Sequence, residues 1–130
     1  MTNRTIYNPW VHADNLGVPI EWGNPGGNRL GLWTGDKIIL SPAQSDRSAT
    51  STLSHEIVHV EYCDEPTPDL VWSARREARC DRLAAERLIS PHDLVDIAAC
   101  TDDIGQWALE LGVTGWILEA YLKENSSWLI

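Results

Sequence analysis

The distribution of chain-breaking residues constrains this sequence most. Up to Leu40 it is rich in Gly, Pro and Asn, with short apolar runs between turn signals; after Pro42 it turns to long stretches that suit helices. Residues 18–22 read as a strand, followed by a loop over 23–28 containing Asn-Pro-Gly-Gly. Residues 29–33 and 37–40 flank Thr34-Gly35-Asp36, a hairpin turn. A short helix over 9–16, ended by Gly17, precedes them. Downstream, Ser45, Asp46 and Ser48 offer N-caps to a helix over 49–62, and Pro66 and Pro68 mark a loop before a second helix over 70–89. Ser90-Pro91-His92-Asp93 starts another helix, with Ser as cap, Pro in the first turn and Asp in the capping-box position. Two more helices cover 104–111 and 114–124, hinged at Gly112. The expected fold class is α+β, a small antiparallel three-stranded sheet followed by a helical bundle. At 130 residues the chain fits one domain, 1–130, mainly β and loops over 1–42 and mainly helical over 43–130.

Seven tryptophans (Trp10, Trp22, Trp33, Trp72, Trp107, Trp116 and Trp128) and no phenylalanine imply that indoles do much of the core filling. The formal net charge of −9 argues against nucleic acid as a partner, because phosphate binding depends on Lys and Arg. Arg75, Arg76, Arg79, Arg82 and Arg87 cluster in one stretch, which reads as a solvated helix face or as a docking face for an acidic partner. Cys63, Cys80 and Cys100 have no recognisable spacing and leave one thiol unpaired in any disulfide scheme, which points to a reducing compartment. No apolar run approaches the roughly 18 residues of a membrane span, and residues 1–10 hold no apolar signal core. The expected location is the cytoplasm, without membrane contact.

His55-Glu56-Ile57-Val58-His59 is H-E-x-x-H. On a helix the two histidines stand one above the other and can reach one zinc ion, while Glu56 beside them can take a proton from a water. Ala49, Leu53, Ile57 and Val60 share a stripe that would face the core, and the histidines fall roughly 160° or more from Leu53 at about 100° per residue. A metzincin would place its third ligand at Glu65 and a glycine at Tyr62, and neither expectation is met. The following helix supplies E-x-x-x-D instead. Glu77 can bind the metal while Asp81, one turn on, accepts a hydrogen bond from a ligand histidine. Glu77, Asp81, Ala84 and Leu88 share a stripe, the small Ala78, Ala84 and Ala85 permit close helix approach, and Arg75, Arg76, Arg79 and Arg82 should point largely away. Tyr62, His92, His12 and Tyr121 are candidates for an oxyanion donor, each with a structural role as the commoner alternative. Cys63, one turn beyond His59, either borders the site or is a buried apolar cysteine.

These two motifs resemble those of the ImmA/IrrE family of zinc metallopeptidases, especially its short phage- and prophage-type members. The resemblance rests on Thr52-Leu53-Ser54-His55-Glu56-Ile57-Val58-His59 and on residues 77–85, followed by Leu88-Ile89. Cys80 stands where the family usually has Ala. Similarity extends more weakly to Leu30-Gly31, to Ile38-Ile39-Leu40-Ser41-Pro42 and to Leu111-Gly112-Val113-Thr114. The resemblance implies a gluzincin-like site with His55, His59 and Glu77 as zinc ligands and Glu56 as general base. It also implies cleavage of a transcriptional repressor or antitoxin of a phage or mobile element. The alternative is a non-catalytic zinc-containing regulator that binds such a protein stoichiometrically. Residues 107–114 also have the look of a helix-turn-helix, but the following helix carries no arginine with which to read DNA.

Overall fold

The computed structural model describes residues 6–125. The elements are α1 (Pro9–Asn15), β1 (Ile20–Trp22), β2 (Gly31–Trp33), β3 (Ile38–Leu40), α2 (Asp46–Glu61), α3 (Leu70–Leu88), α4 (Pro91–Ala98), α5 (Ile104–Leu111) and α6 (Gly115–Glu124). The class is α+β, as expected. The sheet, however, is mixed: its order is β1-β3-β2, with β3 antiparallel to β2 and parallel to β1. The reason lies in burial. Ile38-Ile39-Leu40 is the most apolar of the three runs and takes the centre, with Ile38 and Leu40 fully buried. The loop over 23–30 therefore carries the chain past the central position to the far edge before the hairpin returns it.

Local chemistry explains the helix starts. Ser45 Oγ accepts from Ser48 N–H at 3.1 Å, Asp69 Oδ1 from Trp72 N–H at 3.0 Å, and Ser90 Oγ from Asp93 N–H at 3.4 Å. Gly112, at φ 72°, ends α5 in the left-handed conformation and turns the chain into α6. Thr114 caps α6 without a side-chain bond, and its N–H donates instead to the buried Ser51 Oγ of α2 at 3.1 Å.

Two apolar clusters flank α2. On the sheet side, Ala13, Ile38, Leu40, Leu53 and Ile57 pack together; on the other, α3 to α6 enclose Ala84, Ala85, Ile89, Leu94, Trp107, Ile117, Leu118 and Leu122. Tryptophan fills less of this than its abundance suggests. Trp107 is in the core and Trp10 and Trp33 pack at its margin, but Trp22, Trp72 and Trp116 are exposed, and Trp128 lies outside the described residues. Among the described residues no helix is long and apolar enough to cross a membrane.

Candidate functional site

His55 and His59 lie one turn apart on α2, with ring centroids 5.0 Å apart. Both Nε2 atoms turn to one carboxylate on α3: His55 Nε2 donates to Glu77 Oε2 at 2.7 Å, and His59 Nε2 lies 2.9 Å from Glu77 Oε1. Both Nδ1 atoms are held from behind. His55 Nδ1 donates to Asp81 Oδ1 at 2.7 Å and His59 Nδ1 to Asp64 Oδ2 at 2.8 Å. The structure thus brings His55, His59, Glu77 and Asp81 together in the expected relation and adds Asp64. Each imidazole has one nitrogen in front and one carboxylate behind, the support that fixes tautomer and ring orientation in metal sites.

Asp64 reaches His59 because of how α2 ends. After Tyr62 the chain turns through Cys63 at φ 52°, left-handed and uncommon for a residue with a side chain. Asp64 N–H then donates to the His59 carbonyl at 3.0 Å, which returns the Asp64 carboxylate to the ring of the same residue. Two arginines of α3 hold this loop: Arg79 pairs with Asp64 and lies 4.0 Å from the centre of the Tyr62 ring, and Arg76 donates to the Glu65 carbonyl. Arg76 and Arg79 therefore do not point away from the site, as the pattern of α3 suggests. Among the other clustered arginines, Arg82 approaches Glu86 and Glu124, and Arg87 bonds Glu61 at 2.6 and 3.1 Å.

Cys80 was not foreseen as part of the site. It is fully buried, its Sγ is 3.5 Å from His59 Nδ1, and the ligand atoms of His55, His59 and Cys80 lie within 4.8 Å of one another, so this cluster could hold a metal ion. Cys80 sits three residues after Glu77, on the same helical face, which was the available signal. Two third ligands are thus in reach. Glu77 faces both Nε2 atoms; Cys80 faces a nitrogen that Asp64 already engages.

Glu56 is buried between α2 and the sheet, and its Oε2 accepts from Trp33 N–H on β2 at 3.1 Å. The close approach of strand and helix depends on Gly31. A Cβ there would stand 2.5 Å from Thr52 Cγ2 and 3.3 Å from Glu56 Cγ. Along this line an open cleft runs in two lobes that meet at Gly31, Glu56 and Glu77. One lobe, about 440 Å³, is lined by Trp33, His59, Glu65, Thr67 and Arg76; the other, about 360 Å³, by Asn28, Leu30, Thr52, His55 and Trp116.

The electrostatics follow from these contacts. Burial disfavours the charged His55 ring, but its bonds to Asp81 and Glu77 outweigh that and raise its pKa to about 10. For His59, burial is likewise outweighed, by Cys80, Glu77 and Asp64, giving about 11. Burial also opposes ionisation of Glu77, yet hydrogen bonds from both histidines hold it well below the usual carboxylate range. Glu56 is pushed up by burial, against the pull of the two imidazoles.

The oxyanion candidates fare differently. Tyr121 is buried in the helical core, His92 is exposed beside Asp96 on α4, His12 bonds Tyr7 and lies near Glu61, and Tyr62 stacks under Arg79. None lines the cleft. Cys63 is exposed and not a buried apolar residue; Cys80 is buried, and all three cysteines are free. Comparison with protein-family profiles, curated proteins and solved structures found no match to the chain.

Proposed function

We propose that this chain is a zinc-dependent metalloendopeptidase that hydrolyses a peptide bond in a protein substrate, a transcriptional repressor or antitoxin of a phage or mobile element. The observation that carries the reading is the convergence of two imidazole Nε2 atoms and the Glu77 carboxylate, with each Nδ1 backed by a carboxylate and Glu56 lining the same cleft. The donor set fits zinc. Ligand atoms about 2.0–2.1 Å from one tetrahedral ion stand roughly 3.3 Å apart. Glu77 lies 2.7 and 2.9 Å from the two nitrogens and its side chain is half exposed, so it is not locked in place by packing. Repressor or antitoxin as substrate rests on the family resemblance alone.

In this reading His55, His59 and Glu77 would hold the zinc, with Asp81 and Asp64 fixing the two rings. When bound, the ion would supply Lewis acidity toward the scissile carbonyl and the attacking water. Glu56, anchored through Oε2 by Trp33 N–H, uses its other oxygen to take the water proton as the oxygen–carbon bond forms. It passes that proton to the amine as the carbon–nitrogen bond breaks. β2 supports substrate alignment. It is an edge strand with β3 on one side only; Trp33 N–H on the open side is taken by Glu56, and the backbone of Gly31 lines the cleft, where an extended peptide can lie alongside.

A second reading is favoured by Cys80. With His55, His59 and the buried thiol as ligands, the metal would serve the fold, and the protein would be a regulator that binds its partner stoichiometrically. Metal content by mass spectrometry separates the two. The peptidase reading expects about one zinc per chain in wild type, Glu56→Gln and Cys80→Ser, and little in His55→Ala or Glu77→Gln. Cleavage of a candidate repressor or antitoxin should then be present in wild type and absent in Glu56→Gln. Zinc lost in Cys80→Ser and kept in Glu77→Gln would instead make Cys80 the third ligand and favour the regulator.

A further inference from the structure

Resting on the peptidase reading, we propose that Arg29 selects substrates with an acidic side chain, accepted in the lobe of the cleft lined by Asn28, Leu30, Thr52 and Trp116. Arg29 is exposed at the cleft mouth and lines both lobes. Among the described residues it makes no ion pair and no side-chain hydrogen bond. Other cations of the chain are committed: Lys37 to Glu21, Arg79 to Asp64, Arg87 to Glu61, and Arg47 to the Val113 carbonyl. Arg75 and Lys123 are likewise without such partners among the described residues, but they line the groove between α3 and α6, which leaves Arg29 as the unpaired cation of the cleft.

The placement of Arg29 is built. Its N–H donates to the Gly26 carbonyl at 3.2 Å, and the neighbouring Leu30 carbonyl accepts from Ser41 N–H at 2.9 Å and Gln44 Nε2 at 3.0 Å. A Cβ at Gly26 would stand 3.6 Å from Arg29 Nη1, so the guanidinium lies over that turn. The surroundings of Arg29 decide between the lobes. One holds a second cation, Arg76, together with the exposed Glu65. In the other the carboxylates are already engaged: Glu56 by Trp33 N–H, Glu77 by both histidines and Asp81 by His55. There, among the described residues, Arg29 is the one Arg or Lys, and none of these carboxylates pairs with it, so its guanidinium is open to a carboxylate from a substrate. A carboxylate can come from a side chain or from a chain end. The cleft continues on both sides of Glu56 and Glu77, which favours a substrate that runs through it, and hence a side chain.

The test uses zinc-loaded wild type, Arg29→Ala and Arg29→Glu, with binding measured by calorimetry. The probes are capped tripeptide hydroxamates bearing Glu or Gln, with the hydroxamate at either end so that the peptide occupies one lobe or the other. A third arm bears Gln and a free terminal carboxylate. Wild type should bind the Glu probe of one series about fivefold more tightly than its Gln counterpart, a preference that shrinks as salt rises. The preference should vanish in Arg29→Ala and reverse in Arg29→Glu. Equal binding of Glu and Gln probes, or a preference that survives in Arg29→Ala, overturns the proposal while tight hydroxamate binding leaves the zinc peptidase standing. A gain confined to the free-carboxylate arm overturns the side-chain assignment. Protein that takes up no zinc sinks both readings together.

Discussion

Towards the sheet, α2 presents Leu53 and Ile57, fully buried against Ile38 and Leu40; towards α3 it presents His55 and His59 to Glu77, Asp81 and, through the returning loop, Asp64. The first face is held by shape and exclusion of water, which are indifferent to ions. The second gathers charges that would be costly to bury singly and that persist because each is paired. One helix thus carries a face that stabilises the fold and a face that could hold a metal ion, and perturbations should separate them.

The largest effect is expected on the apolar face. Leu53→Ala should cost about 2–5 kcal/mol of unfolding free energy in urea titrations, with or without zinc. If the variant lost zinc affinity but little stability, the division between the faces would be wrong. Next comes the metal itself. Zinc at a hundredfold its dissociation constant should add about 2.7 kcal/mol to wild-type stability, and far less to Glu77→Gln. A thermal shift of equal size in both proteins would remove Glu77 from the ligand set.

Gly31→Ala probes the boundary between the faces. Its Cβ would meet Thr52 Cγ2 at 2.5 Å, so the strand must move off α2 at a cost of about 1–3 kcal/mol, loosening the anchor on Glu56 as well. Unchanged thermal stability would show that the two elements can separate freely. The smallest change should come from Asp64→Asn, which keeps the loop shape and weakens support of His59. A zinc affinity about tenfold lower, read by competition with a chelating dye, is expected. An affinity equal to wild type would make the Asp64 contact incidental.

How much of this was legible beforehand varies with the range of the interaction. Helix bounds were readable because caps and punctuation are local: Ser45, Ser90 and Gly112 act within a few residues of themselves. The His55–His59–Glu77–Asp81 set was readable because helical spacing projects side chains onto one face. The strand order was not, since adjacency depends on which strand is most apolar once packed against α2. Asp64 escaped because its position follows from a left-handed residue at Cys63, which nothing in the residue type announces. Arg76 and Arg79 were misplaced for the same reason: the loop they hold had no visible course. Tyr121 and His92 were candidates by chemistry alone, and packing put one in the core and the other on the far surface.

The left-handed turn at Cys63 has a consequence for how the site comes into being. By folding Asp64 back onto His59, it makes the two histidines, Glu77, Asp81 and Asp64 part of a single helix–loop–helix hairpin spanning residues 55–81. Closing so short a loop costs little chain entropy, so this hairpin can assemble early and from local contacts. Glu56 alone waits for a distant segment, because its anchor, Trp33, belongs to a strand that must dock from the other side of α2. The groups that could hold a metal are thus brought together by local contacts, whereas the placement of Glu56 depends on a long-range contact with β2.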